Sequence, residues 1–291
     1  MLDLYVTISS KSFGWVTDKY SEIFKGLAQV IPKGGINLPH RNYIAVACFT
    51  SLLAYLLGIV FSIFLISAIK LSIFVIPAVI IFLPLMFGVF TFVIMYTLPY
   101  QFAMSRKKSI DTNLPFAIAH MGSIATSGIP PSAIFKLLGN FDEYGILAQE
   151  MQKIVRNMEI FGMDPMSAIR EVAKRTPSEK FKQILLGFVS TIESGGDLKT
   201  YLKVMGEQTL FTWKNKREKY LQQLSAYAEF YTGLLIAAPL FLVSLFSVMN
   251  MIEPNLGGFS ILVLMRLSIY IAIPLLNIGF LLFLKTTQVE M

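Results

Sequence analysis

The sequence predicts an all-α integral membrane protein in which four transmembrane helices flank one cytoplasmic six-helix-type bundle. Hydrophobic residues make up 55% of the 291 residues, and the mean hydropathy of +0.63 is too high for an ordinary soluble domain. Four apolar runs are each long enough to cross a bilayer. The polar region between the second and third runs carries helix start and stop signals and no convincing strand, which predicts a helical bundle.

The first 42 residues form an amphipathic segment that we expect to be cytoplasmic. Its apolar side chains recur at helical spacing, whereas its lysines fall at other positions of the helix. Such a helix can lie in the membrane surface or pack on the polar region that follows, and the sequence leaves both alternatives open. The apolar set is Phe13, Val16, Tyr20, Ile23, Phe24, Leu27, Val30 and Ile31, and the lysines are Lys11, Lys19, Lys25 and Lys33.

The four apolar runs form two predicted transmembrane hairpins, because about 20 apolar residues are needed to cross the hydrocarbon core as a helix. The first hairpin, 43–98, joins spans 43–69 and 71–98 through a tight turn at Lys70. The second, 231–284, joins spans 231–252 and 260–284 through the turn residues "EPNLGGF".

The basic residues predict the orientation of these spans. Residues 1–42 hold five Lys and Arg, and the insert 99–230 holds seventeen against thirteen acids. The two hairpin turns carry only Lys70 and Glu253. By the positive-inside rule, the N-terminus, the insert and the tail 285–291 are cytoplasmic in a multi-pass protein of the cell (cytoplasmic) membrane. The same retention of basic residues explains the net charge of +7 without nucleic acid as a partner.

Helix signals divide the insert 99–230 into about six helices. Thr176 is expected to be an N-cap, with Pro177 at the first helical position and Glu179 completing a capping box. Asp197 is expected to cap the last helix, which continues into the third span. The other expected starts are at Asn113–Pro115, Pro130–Ser132, about Tyr144, and Asp164 before Pro165.

The stretch "ESGGD", residues 193–197, combines two glycines with an acid, which could bind a phosphate, contribute to a catalytic loop or turn one helix into the next. No strand precedes it and Leu198 follows it in place of a lysine, so we interpret it as a corner between two helices. Gly195 would adopt the left-handed conformation there, and Asp197 would cap the next helix. A shift of 67 residues aligns Ser127–Gly128 with Ser194–Gly195, which suggests two related helical hairpins. Each turn is either purely structural or also contacts a partner.

Catalytic motifs are missing from the sequence. It contains no Walker A loop, G-x-G-x-x-G, H-E-x-x-H or C-x-x-C, and Cys48 is its single cysteine. The acids of the insert have the spacing of solvated helix faces. We therefore predict no catalytic, cofactor or metal site and no enzyme activity. The spans also lack ionisable groups at the membrane midplane, which counts against ion or proton transport.

Two basic clusters border the predicted spans. The first is Arg106, Lys107 and Lys108, and the second is Lys214, Lys216, Arg217 and Lys219. Both should lie near the inner leaflet, where attraction to anionic lipids is worth about 1 kcal/mol per basic residue. Membrane lipids and a docked protein are both possible partners of these clusters.

Three stretches of the sequence, which follow one another in this order, resemble a known family: "EIFGMDPMSAIREVA", "RTPSEKF" and "STIESGGDL". A long helix that enters an apolar span follows them. Together they resemble the F domain of type II secretion systems. More narrowly, they are similar to the platform proteins of the archaellum and of archaeal type IV pili. The arrangement of two spans, a domain and two spans also resembles the platforms of tight-adherence pili. The resemblance covers roughly residues 100–285.

The resemblance implies a platform in the cytoplasmic membrane without enzyme activity or cofactor. Its helical domain would face a cytoplasmic secretion or archaellum ATPase, whose motion would move pilin- or archaellin-like subunits into a filament. Archaellum platforms are usually longer, with two cytoplasmic domains, so this chain would act as a homodimer or beside a related platform subunit. The alternative is a small-molecule transporter or a membrane-anchored sensor. The candidate partner contacts are Ser127, Gly128, Arg175, Thr176, Ser194, Gly195, Gly196 and Asp197.

Overall fold

The computed structural model describes residues 2–19, 24–36, 38–69, 76–253, 255–256 and 258–287. Nearly all of these residues are helical, as the predicted fold class requires, and the chain divides into two compact units, Met1–Glu207 and Gln208–Met291. The helices are α1 (Leu2–Lys19), α2 (Lys25–Lys33), α3 (His40–Ile69), α4 (Ile76–Ala125), α5 (Pro131–Gly139), α6 (Ile146–Glu159), α7 (Pro165–Arg175), α8 (Glu179–Glu193), α9 (Leu198–Tyr231), α10 (Ala238–Ile252), α11 (Ile261–Leu267) and α12 (Ile273–Thr287). A 3-10 turn spans Asp142–Tyr144, and two-residue strands β1 (Asn255–Leu256) and β2 (Phe259–Ser260) pair antiparallel.

Among the residues that the structure describes, four stretches of helix are long and apolar enough to cross a membrane, which confirms the predicted number of spans. They are His40–Ser67, Ile76–Ala125, Leu198–Ile252 and Ile261–Thr286. The second and third include polar segments as well as apolar ones, because α4 and α9 each continue beyond the apolar part of the sequence. The predicted turn at Lys70 and the end of the tail, 288–291, lie outside the described residues.

The prediction that a helix starts at Asn113–Pro115 is wrong, because α4 runs without a break from Ile76 to Ala125. Proline inside a helix removes a hydrogen bond and costs about 3 kcal/mol. Here Leu114, Pro115 and Ala117 are all buried, and apolar burial offsets that cost. The amide of Asn113 donates to the Ser109 carbonyl at 3.1 Å and to the Tyr144 carbonyl at 3.2 Å, so it does not serve as a cap.

The core of the bundle is formed by the second half of α4, by α5 to α8 and by the first turns of α9. Helix α8 contributes an apolar stripe, in which Phe181, Ile184, Leu185 and Phe188 are buried and Ile192 packs at the edge. The Phe188 ring lies 5.1 Å from that of Phe135 on α5. Further core residues are Ile110, Leu114, Ile118, Met121, Ile134, Leu138, Leu147, Met151, Ile154, Ile169 and Leu202.

Two glycines allow α4 and α9 to approach closely. A Cβ on Gly206 would lie 3.0 Å from Ala119 Cα, and a Cβ on Gly122 would lie 3.3 Å from the Leu202 carbonyl oxygen. Residue 119 of α4 therefore lies beside residue 206 of α9, and residue 122 of α4 lies beside residue 202 of α9. The two helices are therefore antiparallel where they close the bundle.

The predicted N-cap at Thr176 is also wrong, because α8 begins at Glu179 and its N-cap is Ser178. The Ser178 hydroxyl accepts from the Phe181 N–H at 3.1 Å and donates to the Asp111 carboxylate on α4. Thr176 is buried and accepts from the Ser178 N–H. Contact with α4 thus moves the start of the helix two residues along. The predicted cap at Asp164 is confirmed by bonds from the Met166 and Ser167 amides at 3.1 and 3.3 Å.

The N-terminal segment packs on the first hairpin. The Tyr5 and Phe13 rings of α1 lie 5.3 and 6.4 Å from the Phe49 ring of α3. Helix α2 buries Leu27 and Ile31 in a small cluster with Tyr43 and Ile44 of α3. The apolar face of this amphipathic segment therefore packs against α3.

The second unit contains helices interrupted by π-helical turns. These turns, Thr232–Ala237 and Ser268–Ala272, each end two residues before a proline, Pro239 and Pro274. Each proline ring would clash with the carbonyl four residues earlier, and a π-helical turn relieves that clash. Within this unit, the Tyr231 and Phe280 rings lie 5.4 Å apart and those of Tyr227 and Phe283 lie 5.8 Å apart.

Candidate functional site

The "ESGGD" stretch is a helix–helix corner, as predicted. Helix α8 ends at Glu193, and Gly195 adopts a φ of 70°. The Gly195 N–H donates to the Ile192 carbonyl at 3.0 Å, and the Gly196 N–H donates to the Thr191 carbonyl at 2.8 Å. This pair of bonds is the Schellman arrangement, which satisfies the last carbonyls of a helix.

Asp197 caps α9, which begins at the next residue. Its carboxylate accepts from the Lys199 N–H at 3.0 Å, from the Thr200 N–H at 3.3 Å and from the Thr200 hydroxyl. The Thr200 hydroxyl bond is the largest cause that lowers the pKa of Asp197, and the two backbone bonds act in the same direction. The ionised form is the one that caps the helix.

We expect Asp197→Ala to lower the melting temperature of the full-length protein in detergent at pH 7, because two N–H groups of α9 lose their acceptor. Asp197→Asn should retain most of that stability, since asparagine is an equally good N-cap. Because the folded pKa is lowered, the contribution of the carboxylate is present above the unfolded value of 3.8 and declines as the pH falls below it. Equal melting temperatures for the alanine variant and the parent at pH 7 would contradict the capping role.

The turn at Ser127–Gly128 resembles the turn at Gly195. Gly128 has a φ of 73°, and the Ser127 N–H donates to the Ile124 carbonyl at 3.0 Å. Since α4 and α9 are antiparallel, the end of α4 and the start of α9 lie at the same end of the bundle. We call residues 126–128 and 193–197 the distal turns. Ala125 lies 27 residues beyond Leu98, so these turns are about 40 Å along α4 from its apolar part.

Arg175 and Thr176 lie away from the distal turns. They lie at the end of α7. Ser178, two residues after Thr176, contacts Asp111, which is 14 residues before the end of α4. The Arg175 guanidinium pairs with Glu171 one turn earlier at 2.7 Å. The structure therefore separates the eight predicted contact residues into two places and buries Thr176.

The first basic cluster is divided between the interior and the surface. Lys107 and Lys108 are exposed, but the Arg106 side chain is mostly buried and its Nη2 lies 2.7 Å from Glu150 Oε1. The Glu150 side chain is only 3% exposed and also pairs with Lys153 at 2.9 Å. Arg106 thus links α4 to α6 inside the bundle.

The second basic cluster lies on α9 in the second unit. Lys214, Lys216, Arg217 and Lys219 are all exposed there. The Arg217 guanidinium carbon lies 5.5 Å from the centre of the Trp213 ring, in cation–π geometry.

One exposed apolar pair was not among the predicted contacts. Ile160 and Phe161, in the turn between α6 and α7, are 71% and 66% exposed. Phe161 lies seven residues beyond the core position Ile154, which is helical spacing, so the sequence pattern does not distinguish it from a core residue. It is exposed because α6 ends at Glu159. Ile160 borders a groove of about 510 Å³ between α5 and α6, whose other lining residues are Lys136, Asn140, Gln149, Gln152, Lys153, Val155, Arg156 and Glu159.

These features define a multi-pass α-helical membrane protein with a helical bundle between its apolar segments. Among the described residues, no group of three or more His, Cys, Asp and Glu side chains could hold a metal ion.

Residues 117–246 match the protein family described as "Type II secretion system (T2SS), protein F". The resemblance to this family that was inferred from the sequence is therefore confirmed over residues 117–246. The matched region begins inside α4, includes both distal turns and ends in α10.

Three curated proteins are similar to this chain. An uncharacterized protein of Methanocaldococcus jannaschii is 27% identical over 279 residues, which are 95% of this chain and 44% of that protein. "Flagella accessory protein J" of Methanococcus voltae is 26% identical over 60% of this chain and 30% of its own length. The protein of the same name from M. jannaschii is 26% identical over 50% of this chain and 26% of its own. The chain thus spans less than half the length of these relatives. No solved structure matches it.

Proposed function

We propose that this protein is a membrane platform subunit of a type IV filament machine and that its helical bundle couples a cytoplasmic secretion ATPase to the assembly of pilin-like subunits. The observation that carries this proposal is the match to the secretion F family. The matched residues, 117–246, include most of the bundle. Two relatives named flagella accessory protein J support the filament class.

The construction of α4 supports a mechanical role. This 50-residue helix is about 75 Å long. Its first half is apolar and suited to the membrane, and its second half buries Ile110, Leu114 and Ile118 in the bundle core. A force applied to the bundle would therefore act on the membrane segment through one unbroken helix.

The distal turns and the Ile160–Phe161 pair are the surfaces that we assign to the ATPase. About 40 Å of helix separates the distal turns from the apolar part of α4, so another macromolecule is a better partner for them than the bilayer. Ile160 and Phe161 supply the exposed apolar side chains that commonly anchor a protein interface.

Purification of the tagged protein from native membranes tests the class of function. We expect a hexameric secretion ATPase and pilin-like proteins to co-purify with it. Substrate flux through the pure protein in proteoliposomes, without those partners, would contradict the proposal and favour a transporter.

The double change Ile160→Ser and Phe161→Ser should weaken ATPase binding by about 2 kcal/mol or more, which is about thirtyfold in affinity. Because both side chains are exposed, the melting temperature should stay close to that of the parent. Leu186→Ser on α8, also at an exposed apolar position, is the matched control and should leave binding unchanged. Unchanged binding by the double variant would exclude the pair as an anchor.

A further inference from the structure

Helix α1 crosses α3 at Ser9. Tyr5 and Phe13, eight residues apart on α1, both contact the Phe49 ring. Ser9 lies midway between them and is fully buried. Its hydroxyl donates to the Tyr5 carbonyl at 2.7 Å, so the polar group at the crossing is satisfied within the helix. A polar group needs such an internal partner in apolar surroundings.

The crossing lies within a stretch that is suited to span the membrane. Phe49 is nine residues beyond His40, where α3 begins, which is about 14 Å along the helix. Ala45, one turn before Phe49 on the same side of α3, is also fully buried. Where α3 spans the bilayer from His40 onwards, its contact with α1 at Phe49 lies inside the membrane and not at the end of the helix.

The other face of α1 carries side chains that suit the membrane interface. Ile8 and Trp15, two turns apart on one side, are 45% and 64% exposed, and Lys11 lies between them. Tryptophan is enriched where lipid headgroups meet acyl chains, and lysine can extend its amine towards the headgroups. These are the residue types of interfacial helices.

We propose that α1 is embedded in the interfacial layer of the membrane, beside the first span, with Ile8 and Trp15 in contact with lipid. The occupant of this face is lipid because the opposite face of the same helix is packed on a membrane span. This inference is independent of the proposed role in filament assembly.

The two tryptophans of the chain, Trp15 and Trp213, allow a direct test. Trp213→Phe leaves Trp15 as the single indole in the full-length protein, reconstituted in phosphatidylcholine–phosphatidylglycerol vesicles. We expect blue-shifted emission that falls by about half when the vesicles contain lipids brominated close to the headgroup, and weak quenching by aqueous acrylamide.

A second route protects this test from a folding defect in the first variant. The emission of the parent minus that of Trp15→Phe also isolates Trp15 and should respond to the brominated lipids in the same way. Strong acrylamide quenching without lipid quenching would place Trp15 in water and overturn the proposal. Emission that neither quencher reduces would mean that protein covers this face, and it would overturn the proposal equally.

Discussion

Glu150→Ala is expected to destabilise the folded protein by about 3–5 kcal/mol, because it leaves the buried Arg106 without its counter-charge. Within the part of the chain that the structure describes, the buried Arg106 Nε has no hydrogen-bond partner, whereas its Nη2 donates to Glu150. The turn after α2 covers the same group: a Cβ on Gly35 would lie 2.6 Å from Arg106 Nη1. Water therefore has little access to replace the lost carboxylate.

The matched control for this prediction is Glu159→Ala. Glu159 is also on α6 and pairs with Lys136 at 2.7 Å, but the side chains of both residues in this pair are more than half exposed. Exposed ion pairs contribute about 0–1 kcal/mol, so this variant should unfold close to the parent. Chemical unfolding in detergent, followed by circular dichroism, measures both variants. An equal loss of stability in the two would contradict the importance of burial.

The double variant Arg106→Met with Glu150→Met distinguishes two quantities. One is the net contribution of the ion pair to the free energy of unfolding, and the other is the loss of stability when only one partner is removed. Replacing both charges with apolar groups removes the uncompensated charge, and such replacements are often neutral or stabilising. We therefore expect the double variant to be more stable than Glu150→Ala. If it were less stable, the pair itself would be a net contributor to folding.

Insertion of two residues after Leu221 is expected to abolish filament assembly in the source organism. Leu221 lies in α9, which is a continuous helix of 34 residues from Leu198 to Tyr231. Two extra residues rotate the helix that follows by about 200°, whereas four rotate it by about 40°. If α9 transmits motion between the bundle and the membrane, the rotation should decide the outcome more than the added length.

The four-residue insertion is the matched control, and it should retain most filaments although it lengthens the helix more. Electron microscopy of whole cells counts the filaments, and immunoblotting of membranes shows that both variants are present in equal amounts. Normal filaments with the two-residue insertion would contradict a rigid connection through α9.

Local chemistry explains what could be predicted from the sequence. The apolar runs predicted four membrane spans because the hydrocarbon core requires about 20 apolar residues, whatever surrounds them. The corner at Gly195 and the cap at Asp197 were predictable for a similar reason. Their hydrogen bonds join residues within five positions of each other.

The incorrect predictions share a physical cause, which is contact between residues distant in sequence. Pro115 remains inside a helix because its neighbours are buried in the core. Ser178 is the N-cap, in place of Thr176, because its hydroxyl is bound to Asp111, 67 residues earlier. Sequence patterns describe neighbouring residues, so they predict neither the core contacts around Pro115 nor the bond between Ser178 and Asp111.

Periodicity and turn chemistry are local, so the helical membrane class, the polar bundle between apolar runs and the secretion F resemblance were all predictable from the sequence. The positions of the surfaces were not, because they depend on contacts between distant residues. In the folded protein, Arg106 lies inside the bundle beside Glu150, and Arg175 lies away from the distal turns. Ile160 and Phe161 are exposed. The packing of α1 on α3 was also not predictable, since an amphipathic pattern defines an apolar face but does not specify the surface that covers it.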